Sequence, residues 1–213
     1  MVAARLRVLN PQEPQIWITM MWNAMTQIAW CWRLGPSNSS EREHVKEMLE
    51  TEEFPENTLF LGDAGVVRYP LWEQIVSAGH DFLVHVGGNL HLLAESLDLE
   101  QRSGKIVYCW PHASRNKPPL KLRLVQVKVG KNKLWMLTSV LSSHDLAKRD
   151  IVSLYKKRWG VELEFRGLKQ TLGRSKLRCR EPQRALVELS WSVLAMTVAK
   201  LFAQKEQTQN SAM

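Results

Sequence analysis

Cysteine is scarce. The 213 residues hold three, Cys31, Cys109 and Cys179, far apart and without a CxxC pair. That excludes a disulfide framework and a cysteine-type zinc site, and it suits a reducing compartment. The six histidines form no HExxH motif, and His85 and His91 read as ordinary strand or loop residues rather than ligands. No run of 18 apolar residues occurs, so no membrane span is expected. "MVAARLRVLN" has no signal-peptide core. Internal repeats and low-complexity tracts are also missing.

What is present is a core and a concentrated charge. Apolar residues make up 45% of the chain, enough for one domain or one domain with an inserted lobe. Net charge is +8, and residues 148–184 account for all of it, with twelve Lys/Arg against four acids. A basic segment of that density points to a polyanion partner; a solvated basic helix and loop is the plainer alternative.

The patterning alternates strand and helix. "IWITMMW" (16–22) and "IAWCWRL" (28–34) read as strands joined by a turn. Ser39 or Ser40 caps a helix carrying Val45, Met48 and Leu49. "NTLFLGDAG" is a short strand ending at Asp63. "YPLWEQIVSAG" is a helix started by Pro70 and stopped by Gly79, and "DFLVHV" is a strand. Residues 87–140 turn β-rich, with "NLHLL", "KIVYCW", "LKLRLVQVKV" and "KLWMLTSVL" as strands and Gly130 in a hairpin turn. A helical part follows from a cap at Ser143. A last amphipathic helix covers "EPQRALVELSWSVLAMTVAKLFAQ", and "KEQTQNSAM" is a frayed tail. The expected organisation is an α/β core over 1–86, a β-rich insertion over 87–142 and a helical return over 143–205.

"LYKKRWGVELEFRGLKQ" (154–170) is the richest stretch. Val161, Phe165, Leu168 and Leu172 form a core stripe at helical spacing. Tyr155, Arg158, Glu162 and Lys169 form a second row bordering it. Gly160 disfavours an unbroken helix by about 1 kcal/mol relative to alanine and allows a kink after Trp159. Glu162 and Asp63 could jointly hold divalent cations that activate a hydroxyl and stabilise the leaving oxygen of a phosphodiester. Arg158, Lys169 and Tyr155 could then grip neighbouring phosphates. The alternatives stay open at this level: Asp63 as a turn aspartate beside glycine, and Glu162 as a partner in i,i+4 ion pairs with Arg158 and Arg166. Trp72 and Trp110 could stack on a base, with buried packing as the other reading.

Tyr155, Arg158, Glu162 and Lys169 together match the Y-(2)-R-(3)-E-(6)-K signature of insertion-sequence transposases of the DDE type (IS-four-type group). "SSEREHVKEMLE", "LGDAGVVRYPLW" and "HVGGNLHLL" resemble further blocks of that family, over roughly residues 11–203. The resemblance implies an RNase H-like (retroviral-integrase-like) core with a β-rich insertion. It makes Asp63 the second catalytic acid and Glu162 the third, both metal ligands, with Tyr155, Arg158 and Lys169 on DNA phosphates. It implies Mg²⁺- or Mn²⁺-dependent strand cleavage and strand transfer at element ends. It also implies DNA as partner (transposon ends and target), a homodimer or synaptic complex, and a bacterial cytoplasmic location at the nucleoid. One departure is His85, where the family often has arginine. Another is the family's first aspartate, which has no counterpart here. The core is therefore expected to be incomplete at its N-terminus, with a missing central strand and exposed neighbouring edges. For this chain alone, binding without nicking is expected; a non-catalytic remnant that binds ends or inhibits full-length transposase is the alternative.

Overall fold

A computed structural model of the chain describes residues 2–7, 16–63, 69–86, 97–103, 105–111, 116, 118–174, 177–179 and 181–211. The chain divides into two compact units. One comprises Leu49–Arg158; the other joins Val2–Met48 to Trp159–Met213.

The Leu49–Arg158 unit is built on a mixed sheet. Strand β4 (Leu59–Gly62) pairs parallel with β5 (Asp81–His85), from Leu59↔Asp81 to Gly62↔Val84. A parallel pair needs a crossover, and helix α2 (Tyr69–Ser77) lies in it. Pro70 sits in its first turn, and Gly79, at φ 77°, ends the segment in the left-handed region. Trp72 is fully buried and stacks on Phe82 at 5.1 Å. The sheet continues antiparallel through β9 (Asn132–Thr138), β8 (Leu120–Val129), β7 (Ile106–Pro111) and β6 (Leu97–Ser103). Gly130, at φ 61°, turns the β8–β9 hairpin.

Helix α3 (Lys148–Arg158) packs on β4 and β8. The expected Ser143 cap is replaced by two devices. Ser142 Oγ accepts from the amides of His144 and Asp145, making a turn. Asp150 then reaches back to the Ala147 amide, half of a capping box at the true start. Arg123, 5% exposed on β8, donates to the Leu146 carbonyl at 2.7 Å and ties the entry of α3 to the sheet.

In the other unit, β2 (Ile16–Asn23) is buried at Ile18, Thr19, Met20, Met21 and Trp22, the continuous burial of a central strand. It pairs antiparallel with β3 (Ile28–Pro36). Asn23 Oδ1 accepts from the Met25 and Thr26 amides in the turn between them. On its other side β2 pairs with β1 (Val2–Arg7), in register from Val2↔Trp22 to Arg7↔Trp17. That side of β2 is therefore not the open edge expected, and "VAARLR" carries no acid. Helix α1 (Glu41–Thr51) starts beyond Ser40, whose Oγ accepts from the Glu43 amide.

Trp159 separates α3 from helix α4 (Gly160–Gln170), so the kink is a true break. Gly160, which follows the break, is tightly packed. A Cβ at Gly160 would overlap the Trp22 ring, which packs on the bare backbone there. Val161, Phe165 and Leu168 are buried as the core stripe requires. Helix α5 (Pro182–Ser211) runs through the residues read as a frayed tail. It is also apolar on two faces rather than one. By length and composition α5 could cross a membrane; it packs on β3 and α4 of its own unit. Strand β6 was not anticipated, and "NLHLL" lies outside the described residues.

Candidate functional site

Asp63 immediately follows β4, and His85 closes β5, so both stand at the carboxyl ends of the parallel pair. That is where open α/β sheets present their ligands. Helix α3 brings Tyr155 and Arg158 to the same place in its last turn. Arg158 Nη1 lies 3.9 Å from Asp63 Oδ2, and its guanidinium carbon is 5.6 Å from the Tyr155 ring centre. The Tyr155 ring is in turn 5.7 Å from that of His85. Three sequence-distant segments of one unit therefore converge on one carboxylate.

The cluster is polarised. The Arg158 side chain is 11% exposed and that of Asp63 is 50% exposed. The cation is held by the protein while the acid opens to solvent. An ion pair with so exposed an acid stabilises little, so stability alone does not account for burying an arginine here. His85 is held below the usual histidine range, first by burial and then by Arg158, with Asp63 opposing. Its imidazole is neutral near pH 7, and its Nε2 is buried without a hydrogen-bond partner among the described residues.

The other unit holds Glu162 and Lys169, both half-buried on α4. Glu162 lies in the first turn, where a negative side chain is favoured by the helix dipole. Lys156, Lys157 and Arg166 are exposed. Arg174 is committed elsewhere: it bonds Glu188 at 2.6 Å and Ser192 at 2.7 Å. Glu188 also accepts from the amides of Arg178 and Cys179, fastening that segment to α5. The row read from sequence is thus split between two helices, with Tyr155 and Arg158 on α3 and Glu162 and Lys169 on α4.

Sequence reasoning missed one ionic element. Glu164 is 2% exposed and pairs with Lys200 of α5, which also donates to the Gln27 carbonyl. The place of Glu164 beside the Val161–Phe165–Leu168 stripe was the available signal. Trp72 and Trp110 are buried, which removes them as base-stackers, whereas Trp159 is 54% exposed. Among the described residues no group of three His, Cys, Asp or Glu side chains converges to hold a metal ion.

Comparison with known proteins agrees with this architecture. The Transposase DDE domain family matches residues 14–198. Transposase InsG for insertion sequence element IS4 of Escherichia coli (strain K12) is 24% identical over 196 residues, covering 85% of this chain and 42% of that protein. Among solved structures, a piggyBac transposase synaptic complex with hairpin DNA is similar to 98% of this chain and 48% of that one. Its TM-score is 0.60 at 13% identity, a likeness of fold and hence of an RNase H-like core. The chain spans less than half the length of either protein. With the family matched over most of its length, the chain belongs to the transposase DDE domain family.

Proposed function

We propose that the chain is the catalytic-core part of a DNA transposase that acts at insertion-sequence ends. The observation that carries this reading is the polarised cluster at the strand tips: a solvent-open Asp63 beside a protein-held Arg158, with Tyr155 and His85 packed behind it. Arg158 offers a planar fork suited to phosphate oxygens, and Tyr155 offers a hydroxyl to a neighbouring oxygen. Lys169, with exposed Lys156, Lys157 and Arg166, extends the phosphate grip. Residues 87–142 are the insertion that separates the segment of Asp63 from that of Glu162.

Asp63 and Glu162 are the carboxylates proposed to hold the divalent cation, Mg²⁺ or Mn²⁺, that this chemistry uses. A bound cation would activate the attacking oxygen and stabilise the leaving one. Among the described residues no group of three His, Cys, Asp or Glu side chains could hold a metal ion, and β1 carries no acid, so the donors described fit such a centre only in part. The described residues of the cluster bear on the binding and orientation of DNA. Its partners would be transposon ends and target DNA, in a bacterial cytoplasm, with ends brought together by more than one copy.

A gel assay tests this. A labelled inverted-repeat duplex is incubated with the chain, with and without Mg²⁺ or Mn²⁺. The expected result is Mg²⁺-independent retardation, weakened by Arg158→Ala and unchanged by Glu162→Gln, with no nicking. Nicking that vanishes in both Asp63→Asn and Glu162→Gln would show a complete active site. Retardation no stronger than for random duplex, or indifferent to Arg158, would overturn the reading.

A further inference from the structure

Helix α4 stops at a fixed point. Gly173, at φ 65°, takes the left-handed position, and the amides of Leu172 and Arg174 return to the carbonyls of Gly167 and Leu168. Arg174 is the first residue clear of the helix, and its guanidinium reaches α5. It donates to Glu188 Oε1 at 2.6 Å and to Ser192 Oγ at 2.7 Å. Ser192, 4% exposed, donates in turn to the Glu188 carbonyl. The other carboxylate oxygen, Oε2, accepts from two successive amides, Arg178 at 3.2 Å and Cys179 at 3.1 Å. Successive amides aimed at one oxygen form an anion-binding nest, here filled by a side chain of the same unit.

The side chains of Glu188 and Arg174 are only 18% and 23% exposed, and their charges offset each other within the anchor. What they fix is the backbone at Arg178, whose own side chain is exposed. Of the described residues 177–179 none is buried, so apolar packing does little to hold them and the carboxylate does most. We propose that Glu188 is a positioning residue for DNA binding: it holds the chain at Arg178 so that this cation meets a DNA phosphate already in place. The proposal rests on the function proposed above. A loose segment would lose freedom on binding, and that loss subtracts from affinity. The sign of the effect separates positioning from plain electrostatics. By charge alone, removing an acid beside a bound polyanion tightens binding. Removing the acid that holds Arg178 weakens it.

Affinity of the whole chain for a labelled inverted-repeat duplex, measured over a salt series, tests the proposal. Arg178→Ala should weaken binding about tenfold and lower the salt slope by about one. Glu188→Gln should weaken it about fivefold, against the direction of its charge change. The double variant should bind no more weakly than Arg178→Ala, because the two residues act through one contact. Glu188→Asp keeps the charge and withdraws the oxygens, and it too should weaken binding. Alkylation supplies the fold check, since Cys31 and Cys109 are buried and Cys179 is half-buried. Without DNA, both Glu188 variants should react faster at Cys179 alone; in the wild-type chain DNA should slow that reaction. Tighter or unchanged binding by the Glu188 variants, additive losses in the double variant, or Cys179 alkylation indifferent to DNA would each overturn the proposal. Retardation that still depends on Arg158 would then leave the proposed function standing, whereas a wild-type chain without specific retardation would overturn both.

Discussion

The two units differ most in how they finish their surfaces. Among the described residues of Leu49–Arg158, the large apolar side chains left exposed are Val76 and Leu141, each at 37%. Among the described residues of the other unit ten are exposed, six of them on α5. The described part of the first unit leaves little large apolar surface open and keeps Asp63 with Arg158 at one place. The second builds a core around β2 as tight as any in the molecule, with five successive residues buried, and still presents apolar surface. A tight interior and an unfinished exterior in one unit mark a piece shaped for contact, since poor packing would have loosened both. The Asp63–Arg158 cluster and the exposed apolar stripe of α5 thus lie in different units.

The largest expected effect tests the interior of the second unit. Gly160→Ala should gain about 1 kcal/mol in helix propensity. The new Cβ, however, would overlap the buried Trp22 ring. Overpacking of this kind costs ~1–3 kcal/mol and should win, so urea denaturation is expected to show net destabilisation. A Trp22→Leu background should reverse the sign, because the ring that collides is then gone. If Gly160→Ala stabilises with Trp22 present, the close approach is not tight.

Next comes the site of the first unit. Arg158→Lys keeps the charge and loses the planar fork and the stacking on Tyr155. DNA affinity is expected to fall about tenfold, about 1.4 kcal/mol by the usual conversion. Lys169→Arg should change it little, because a point charge suffices at a half-buried lysine. Equal effects at the two positions would erase the distinction between an organised site and a general basic surface.

How much of this was legible beforehand follows from sequence distance. The strands β2, β3, β8 and β9 announced themselves through apolar runs and turn residues, and Asp63 through a strand that stops at "GDAG". The hairpin β1 escaped because "VAARLR" is short and mixes two arginines into its alternation, and its partner strand rather than its own propensity holds it. The tail of α5 was misread for the opposite reason. Its residues are polar, yet Lys205, Glu206 and Gln207 are good helix formers, and a helix already nucleated extends through them. "LDLEQRS" reads as a polar loop until β7 pairs with it. At the site, spacing along one helix revealed Tyr155 and Arg158, but nothing local places His85 against Tyr155 or Glu164 against Lys200, since those pairs are 70 and 36 residues apart. Convergence of distant segments is a property of the folded chain.

A smaller effect probes the ionic tie inside the second unit. Glu164→Gln keeps shape and removes charge from a side chain that is 1% exposed. Lys200 is 37% exposed and retains water, so the loss should be about 1 kcal/mol rather than the larger cost of orphaning a fully buried cation. The same lysine holds the Gln27 carbonyl, and Gln204 holds that of Thr26. Hydrogen exchange should therefore quicken in the turn at 24–27 and stay unchanged in β8 and β9. Acceleration in both would mean that the two units share one cooperative opening.

The smallest effect separates the two units by pH. Burial and Arg158 lower the pKa of His85 in the folded chain, against the weaker pull of Asp63. The unfolded chain then takes up a proton near the ordinary value of about 6.5, while the folded chain takes it up only at lower pH. Between those two points the unfolded state binds more protons, so stability rises with pH. The contribution is intact above about pH 6.5 and is lost as pH falls toward the depressed folded value. His85→Gln removes the titration and should flatten that slope by less than about one proton. The flattening should appear in the melting of Leu49–Arg158, followed by hydrogen exchange in β5 and β9, which flank the histidine. The α5 signals should not report it. A slope unchanged in the variant would mean that His85 is solvated, and that the strand-tip cluster is looser than the ring contact with Tyr155 implies.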